Sequence, residues 1–335
     1  MRLIFLTGIL FFLTSCGKDE PVSFGDTVEL KIPGGFPQPI LNPDNPLTKS
    51  KIALGKKLFF EKLISSDGSI SCASCHMQEH AFSEPEPISS GVGGLTGFRN
   101  AMPLFNLAWS KHFFRDGGVN LLVLAPLNAI DSHVEFNTTL PSVLNKLNLN
   151  PEYRLLFQTA FGDSATSFTF LRAMAAFQLT LISGNSRYDK YINGEKDALS
   201  INELRGKDLF FSSRTNCSNC HSGFNFTSSK FESNGLFEQY ADTGRQRITT
   251  FTADRGKFSV PSLRNISVTG PYMHDGSIPD LNTVIERYNS GGTDFFNKNP
   301  IITPLNLSNQ EKQDLAAFLR TLEDREFIEN AEFKP

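Results

Sequence analysis

Apolar residues fall into four patterns along the chain. Leu3 to Leu13 is an almost unbroken apolar run that stops at Thr14-Ser15-Cys16. From Phe168 to Ser183 apolar positions recur at helical spacing and end before Gly184, which predicts one long packed helix. Ser308-x-x-Glu311 is a capping box and opens a last helix to about Leu322. The fourth pattern occurs twice. Gly55-Lys56-Lys57-Leu58-Phe59-Phe60 and Gly206-Lys207-Asp208-Leu209-Phe210-Phe211 each read as a short amphipathic helix ending in two phenylalanines, followed by a polar loop. Gly-, Pro- and Asn-rich stretches between these segments predict long loops that carry the contacts to bound groups. The expectation is a mainly α fold of two similar halves.

The first run follows Arg2 and is about eleven residues long, too short for a spanning helix of ~20 residues. It reads as a secretory signal peptide over residues 1–15. Leu13-Thr14-Ser15-Cys16 resembles a bacterial lipobox, which would make Cys16 a lipidated N-terminus. Residues 16–47 carry prolines at 21, 33, 37, 39, 43 and 46 and read as an extended tether. The expected location is outside the cytoplasm, periplasmic or at the cell surface, held to a membrane by lipid alone. Thirty-two basic against 35 acidic residues give net −3, which argues against a nucleic-acid partner. The 335 residues suit two domains, expected at 48–195 and 196–335.

Each Phe-Phe helix leads to the same string: Cys72-Ala73-Ser74-Cys75-His76 and Cys217-Ser218-Asn219-Cys220-His221. C-x-x-C-H is the attachment pattern of haem c. Two thiols three positions apart reach both vinyl groups of one porphyrin, and the next histidine turns its imidazole to the iron. A thioredoxin-like pair needs no such histidine, and zinc would need both motifs to converge on one ion. The five cysteines are then accounted for: Cys16 with lipid, four with two covalently bound haems. The 31 phenylalanines suit a porphyrin lining or an ordinary apolar core. Function turns on the sixth ligand of each iron, since a closed iron passes electrons and an open one binds peroxide or oxygen.

Further strings occur in a fixed order: Ser65 to Ser71, Gly97-Phe98-Arg99-Asn100, Phe114-Arg115-Asp116-Gly117, Val134-Glu135-Phe136, Val260 to Asn265, and Thr269-Gly270-Pro271-Tyr272-Met273-His274-Asp275-Gly276. With the two haem motifs they make the chain similar to the bacterial di-haem cytochrome c peroxidase family, which includes MauG-type enzymes. The resemblance covers most of residues 48–325. It implies two cytochrome c-like helical haem domains packed together. The N-terminal haem on His76 would be peroxidatic, and the C-terminal haem on His221 would feed it electrons from a small cytochrome c or copper protein. Glu135 fills the family's acidic position over the open iron, where it would move a proton between the oxygens of hydrogen peroxide. Asn100, Thr269 and Pro271 match a calcium site between the haems, with one side-chain and two backbone oxygens as ligands. The resemblance also admits a homodimer.

Three positions depart from the family pattern. Val92 stands where many of these peroxidases carry a histidine that ligates the first iron, so that iron is expected open; His80, on the same haem face as His76, is expected at a propionate or in solvent. Tyr288 stands where a methionine usually closes the second iron and where MauG-type proteins use a tyrosine, so Tyr288 is the expected ligand; Met273 is the rival. Arg115 replaces the tryptophan between the haems, and Trp109, six residues earlier, is expected to pack in a core. The activity expected is peroxidase; the alternatives are MauG-like oxidation of a protein or organic substrate, favoured by Tyr288 and opposed by Arg115, and a non-catalytic electron carrier or redox sensor.

Overall fold

The computed structural model describes residues 26–335. The apolar leader and Cys16 lie outside the described residues. The first half contains α1 (Lys49–Phe60), the single turn α2 (Cys72–Cys75), α3 (Ala125–Asp131), α4 (Leu140–Leu149), α5 (Pro151–Phe161) and α6 (Ser167–Thr180). The second contains α7 (Arg187–Ile192), α8 (Ile201–Phe210), the single turn α9 (Cys217–Cys220), α10 (Gln246–Thr249), α11 (Leu281–Asn289) and α12 (Asn309–Arg320), and α13 (Arg325–Glu329) follows. Among the described residues the sheet is one two-residue antiparallel pair, β1 (Phe231–Glu232) and β2 (Phe258–Ser259), with Phe231 opposite Ser259. The long loops expected between helices are present. The two helices expected from periodicity are α6, opened by a Thr166/Thr169 capping box, and α12, opened by Ser308 and Glu311.

The internal repeat has a packing reason. Gly55 is where α1 crosses α6: a Cβ there would lie 1.9 Å from the Ala173 carbonyl oxygen. Gly206 is where α8 crosses α12, and a Cβ there would lie 1.9 Å from the Asp314 carbonyl oxygen. The missing side chain lets each pair of axes close up. The phenylalanine one turn later fills the space beside each crossing: Phe59 packs on Phe177 and Phe210 on Phe318, both at 5.3 Å between ring centroids. Both rings are buried, each worth about 1.5–3 kcal/mol of apolar transfer. Each crossing sets the start of the loop that ends in C-x-x-C-H.

Two boundaries differ from the expectation. Residues 26–47 are extended but not a free tether. Val28 N–H donates to the Leu47 carbonyl at 2.9 Å. Phe36 sits 4.5 Å from Phe224 and 5.4 Å from Trp109, whose Nε1–H donates to the Pro37 carbonyl at 2.8 Å. Proline keeps this segment extended, and one aromatic anchor seats it on the body. At the other end, Phe327 and Phe333 enter the core of the first half, 5.7 and 6.1 Å from Phe82. The 196–335 unit therefore ends before its last dozen residues. In the opposite sense, α7 precedes that boundary but packs on the second half, with Tyr188 5.2 Å from Phe226. Among the described residues no helix is long and apolar enough to cross a membrane.

Candidate functional site: two haem centres

Both motifs fold the same way. Cys72–Cys75 and Cys217–Cys220 each form one helical turn, and the N–H of His76 or His221 closes it on the carbonyl of the first cysteine at 3.0 and 2.9 Å. None of the four cysteines is in a disulfide. Burial pushes the Cys72 thiol up to about 12 and the Cys75 thiol up to about 11, with further contributions from Cys75 and from Glu84 respectively. Such thiols are poor thiolates, unlike those of a redox pair or a metal site. Among the described residues no cluster of three His, Cys, Asp or Glu side chains could hold a metal ion, so the motifs do not converge as zinc would require.

The histidines are oriented for iron. His76 Nδ1 lies 2.8 Å from the Phe82 carbonyl. His221 Nδ1 lies 3.1 Å from the Pro261 carbonyl and 3.2 Å from that of Phe226. A carbonyl only accepts, so each Nδ1 carries the proton and each Nε2 keeps a lone pair, the tautomer an axial ligand needs. Burial also lowers both imidazole pKa values, which keeps them neutral. The loop behind His221 is fixed by Arg264, which is buried, forks onto Asp189 at 2.7 and 2.8 Å, and donates to the Phe224 carbonyl. This donor set fits haem c in both halves.

At the first centre the glycine-rich loop and the glutamate turn are docked together. A Cβ on Gly91 would lie 2.1 Å from the Val134 carbonyl oxygen, and Val92 N–H donates to the Glu135 carbonyl at 2.9 Å. Val92 is buried beside that turn and offers no ligand atom. Glu135 keeps an exposed face, yet desolvation on its protein side raises its pKa above the ordinary 4.5, with the Ser132 hydroxyl opposing part of the rise. A second carboxyl, Glu84, is buried close enough to Cys75 to raise its pKa, and accepts a hydrogen bond from Ser89. Sequence reasoning missed Glu84, which stands in no periodic or motif frame. His80 is half-buried, and its Nδ1 lies 3.2 Å from the Val268 carbonyl.

The second centre opens into a cavity with about 1520 Å3 of atom-free space, continuous with solvent. Cys217, Cys220, His221, Met273 and Tyr288 all line it. Both candidate second ligands therefore face the same space as His221. Asn234 joins them: its Nδ2 lies 3.3 Å from Met273 Sδ and 3.5 Å from the Tyr288 hydroxyl. Met273 is held at φ 79°, a left-handed conformation unfavourable for a side chain of its size. Burial raises the pKa of Tyr288, and the Asn234 amide opposes it by stabilising the phenolate. Asn234 carried no signal in the sequence; only the fold brings it across from β1.

Residues 49–197 match the family model described as di-haem cytochrome c peroxidase, and residues 204–323 match cytochrome c. The methylamine utilization protein MauG of Methylorubrum extorquens is 35% identical over 302 residues, covering 89% of this chain and 85% of that protein. This chain belongs to the di-haem cytochrome c peroxidase/MauG family. The cytochrome-c peroxidase IdrP1 of a Pseudomonas species is 34% identical over 313 residues, covering 83% of this chain and 82% of the relative. A crystal structure of a MauG-like protein associated with microbial copper homeostasis superimposes with a TM-score of 0.87 at 32% identity, over 92% of this chain and 99% of that one. The chain is thus an oxidoreductase of a di-haem peroxidase/oxidase family, with two cytochrome c-like helical domains.

Several family strings meet in one layer between the centres. Arg99 forks onto Asp242 at 2.6 and 2.8 Å and reaches Asp116 at 2.7 Å. Arg247 also holds Asp116, which is fully buried. Asn100 N–H donates to the His274 carbonyl at 2.9 Å, and His274 stacks on Phe258 at 4.0 Å. Thr269 and Pro271 lie on the segment that leads to His274, Pro271 buried and Thr269 half-buried. Arg115 Nη2 donates at 2.7 Å to the Asn100 side-chain oxygen, the atom the family pattern assigns to calcium, and Arg115 Nε reaches the Asn100 carbonyl at 3.3 Å.

Proposed function

We propose that this chain reduces hydrogen peroxide to water at the His76 centre. Electrons would enter singly at the His221 centre from a small cytochrome c or copper protein. The observation that supports this reading is the docking of Val92 on the Glu135 turn: Val92, which has no ligand atom, donates its N–H to the Glu135 carbonyl, and the Glu135 carboxyl is near enough to Cys72 and Cys75 to raise their pKa values. In the same reading the haems are held by thioethers on Cys72, Cys75, Cys217 and Cys220. The chain works outside the cytoplasm, anchored by lipid on Cys16.

When bound, the two haems supply the electron transfer and the site where peroxide binds. One peroxide takes up two electrons and two protons, its O–O bond breaks, and two waters form. Glu135 takes the proton from the inner oxygen and delivers it to the outer one, so that the leaving group is water rather than hydroxide. Its raised pKa suits both halves of that transfer. Tyr288, steadied by Asn234, would hold the second iron, and as a hard anionic donor would favour its ferric state.

The test is donor-dependent peroxide consumption by the haem-loaded protein and its Glu135→Gln variant. Turnover falls by roughly 10²–10⁴-fold in the variant while both haem spectra persist. In the parent protein the acid limb of the pH profile lies above 4.5, because burial raises Glu135, and the variant loses that limb. Turnover indifferent to the substitution, with both irons six-coordinate, leaves an electron carrier. A second reading, MauG-like oxidation of a protein or organic substrate, is favoured by Tyr288 in the second cavity. Peroxide-driven oxidation of a partner without a reduced cytochrome would select it.

A further inference from the structure

Arg115 is an unusual cation. Its guanidinium lines the second cavity and is surrounded by protein, and burial followed by repulsion from Arg99 lowers its pKa to about 10. Among the described residues it forms no ion pair; Asp275 is the acid near enough to favour its charge. What holds it is Asn100, through the side-chain oxygen and the main-chain carbonyl. The remaining Asn100 groups are also committed, Nδ2 to the Glu86 carbonyl at 3.2 Å and N–H to the His274 carbonyl. A calcium ion on the Asn100 side-chain oxygen, at ~2.4 Å, would sit within about 5 Å of a guanidinium nitrogen that is itself 2.7 Å from that oxygen.

The surroundings do not invite a second cation. Arg99, Arg245 and Arg247 stand in the same layer, against Asp116, Asp242 and Asp275. Asp116 and Asp242 are each already bound by arginine. Calcium sites are normally built from anionic or free carbonyl oxygens, and here the positive charge is supplied by the chain.

We propose that Arg115 is the resident cation between the two haem centres of this chain, occupying the Asn100 oxygen in place of a divalent metal ion. The residue that replaces the family's inter-haem tryptophan therefore also replaces its calcium. The consequence is a second haem centre whose folding and spectrum do not depend on calcium. This goes beyond the peroxidase reading and is independent of it, since its readouts are metal uptake, unfolding and spectra.

The experiment uses the full haem-loaded chain, stripped with chelator and returned to calcium-free buffer. Calcium chloride is titrated by calorimetry, and unfolding is followed by haem absorption with and without calcium. The wild type shows no saturable site, and its unfolding midpoint and second-haem spectrum stay unchanged on adding calcium or chelator. Arg115→Gln frees the Asn100 oxygen and removes the repulsion. It takes up one calcium per chain, and saturating calcium raises its midpoint by on the order of 5 °C. Asn100→Asp guards against an Arg115→Gln chain that fails to load haem: it gains an ion pair with Arg115 and stays indifferent to calcium. One tightly held calcium in the wild type, removed by chelator with a change in spectrum, overturns the proposal. So does a loaded Arg115→Gln chain that still takes up none, or a calcium-dependent midpoint in Asn100→Asp.

Discussion

Alanine at Gly55 tests whether the repeated glycine is a crossing point. Its Cβ would sit 1.9 Å from the Ala173 carbonyl oxygen, where ordinary contact begins near 3.4 Å, so α1 and α6 must part by about 1.5 Å. Overpacking of a core in this way typically costs about 1–3 kcal/mol. Alanine returns up to about 1 kcal/mol through its better helix propensity. The net loss is up to about 2 kcal/mol after the full return, which at ~2–4 °C per kcal/mol for a domain of this size lowers the unfolding midpoint by up to roughly 8 °C. Gly206→Ala meets the Asp314 carbonyl oxygen at the same 1.9 Å and should cost the same. The crossings belong to different cores, so the double variant should show the sum within about 0.5 kcal/mol. Thermal unfolding followed at the haem bands reads all three. If either single variant unfolds at or above the wild-type midpoint, close approach is not why glycine stands there.

Three further expectations follow from the centres. Val92→His places an imidazole on backbone already bonded to the Glu135 turn, so the as-isolated first haem should turn from high-spin to low-spin by electron paramagnetic resonance and react more slowly with peroxide. Tyr288→Phe removes the hydroxyl beside Asn234; the second haem's midpoint potential should rise, and a near-infrared thioether band should appear if Met273 takes over. Arg264→Met leaves Asp189 buried without its partner and should cost about 3–5 kcal/mol in urea unfolding. Burial disfavours the Asp189 carboxylate but the Arg264 hydrogen bonds outweigh it and lower its pKa, so this stabilisation is present above the ordinary aspartate range and lost as pH falls through the folded value. The acid-side loss should therefore be smaller in the variant.

The parts of this molecule readable in advance are those written in short spacings. The Gly-to-Phe-Phe repeat, the two C-x-x-C-H turns and the capping boxes of α6 and α12 depend on residues within a turn or two of each other. Glu135 and Val92 could be named from family position, but their mutual bond joins loops some forty residues apart. Asn234 meets Tyr288 only because β1 and α11 share one cavity. The Arg115–Asn100 contact was hidden for another reason: the sequence offers each residue a separate role, and only geometry brings the two side chains together. Phe36, Phe327 and Phe333 carried no signal, because isolated aromatics in proline-rich or charged ends have no periodicity to announce burial.

The C-terminal tail has a consequence for how the protein can be shortened. Gln78, two positions after His76, donates its amide hydrogens to the carbonyls of Phe327 and Asn330, and Phe333 packs on Phe82. The pocket that comes first along the chain is thus finished by residues some 250 positions further on. Loss of residues 326–335 would injure the N-terminal half and not the C-terminal one, the reverse of what the linear map suggests.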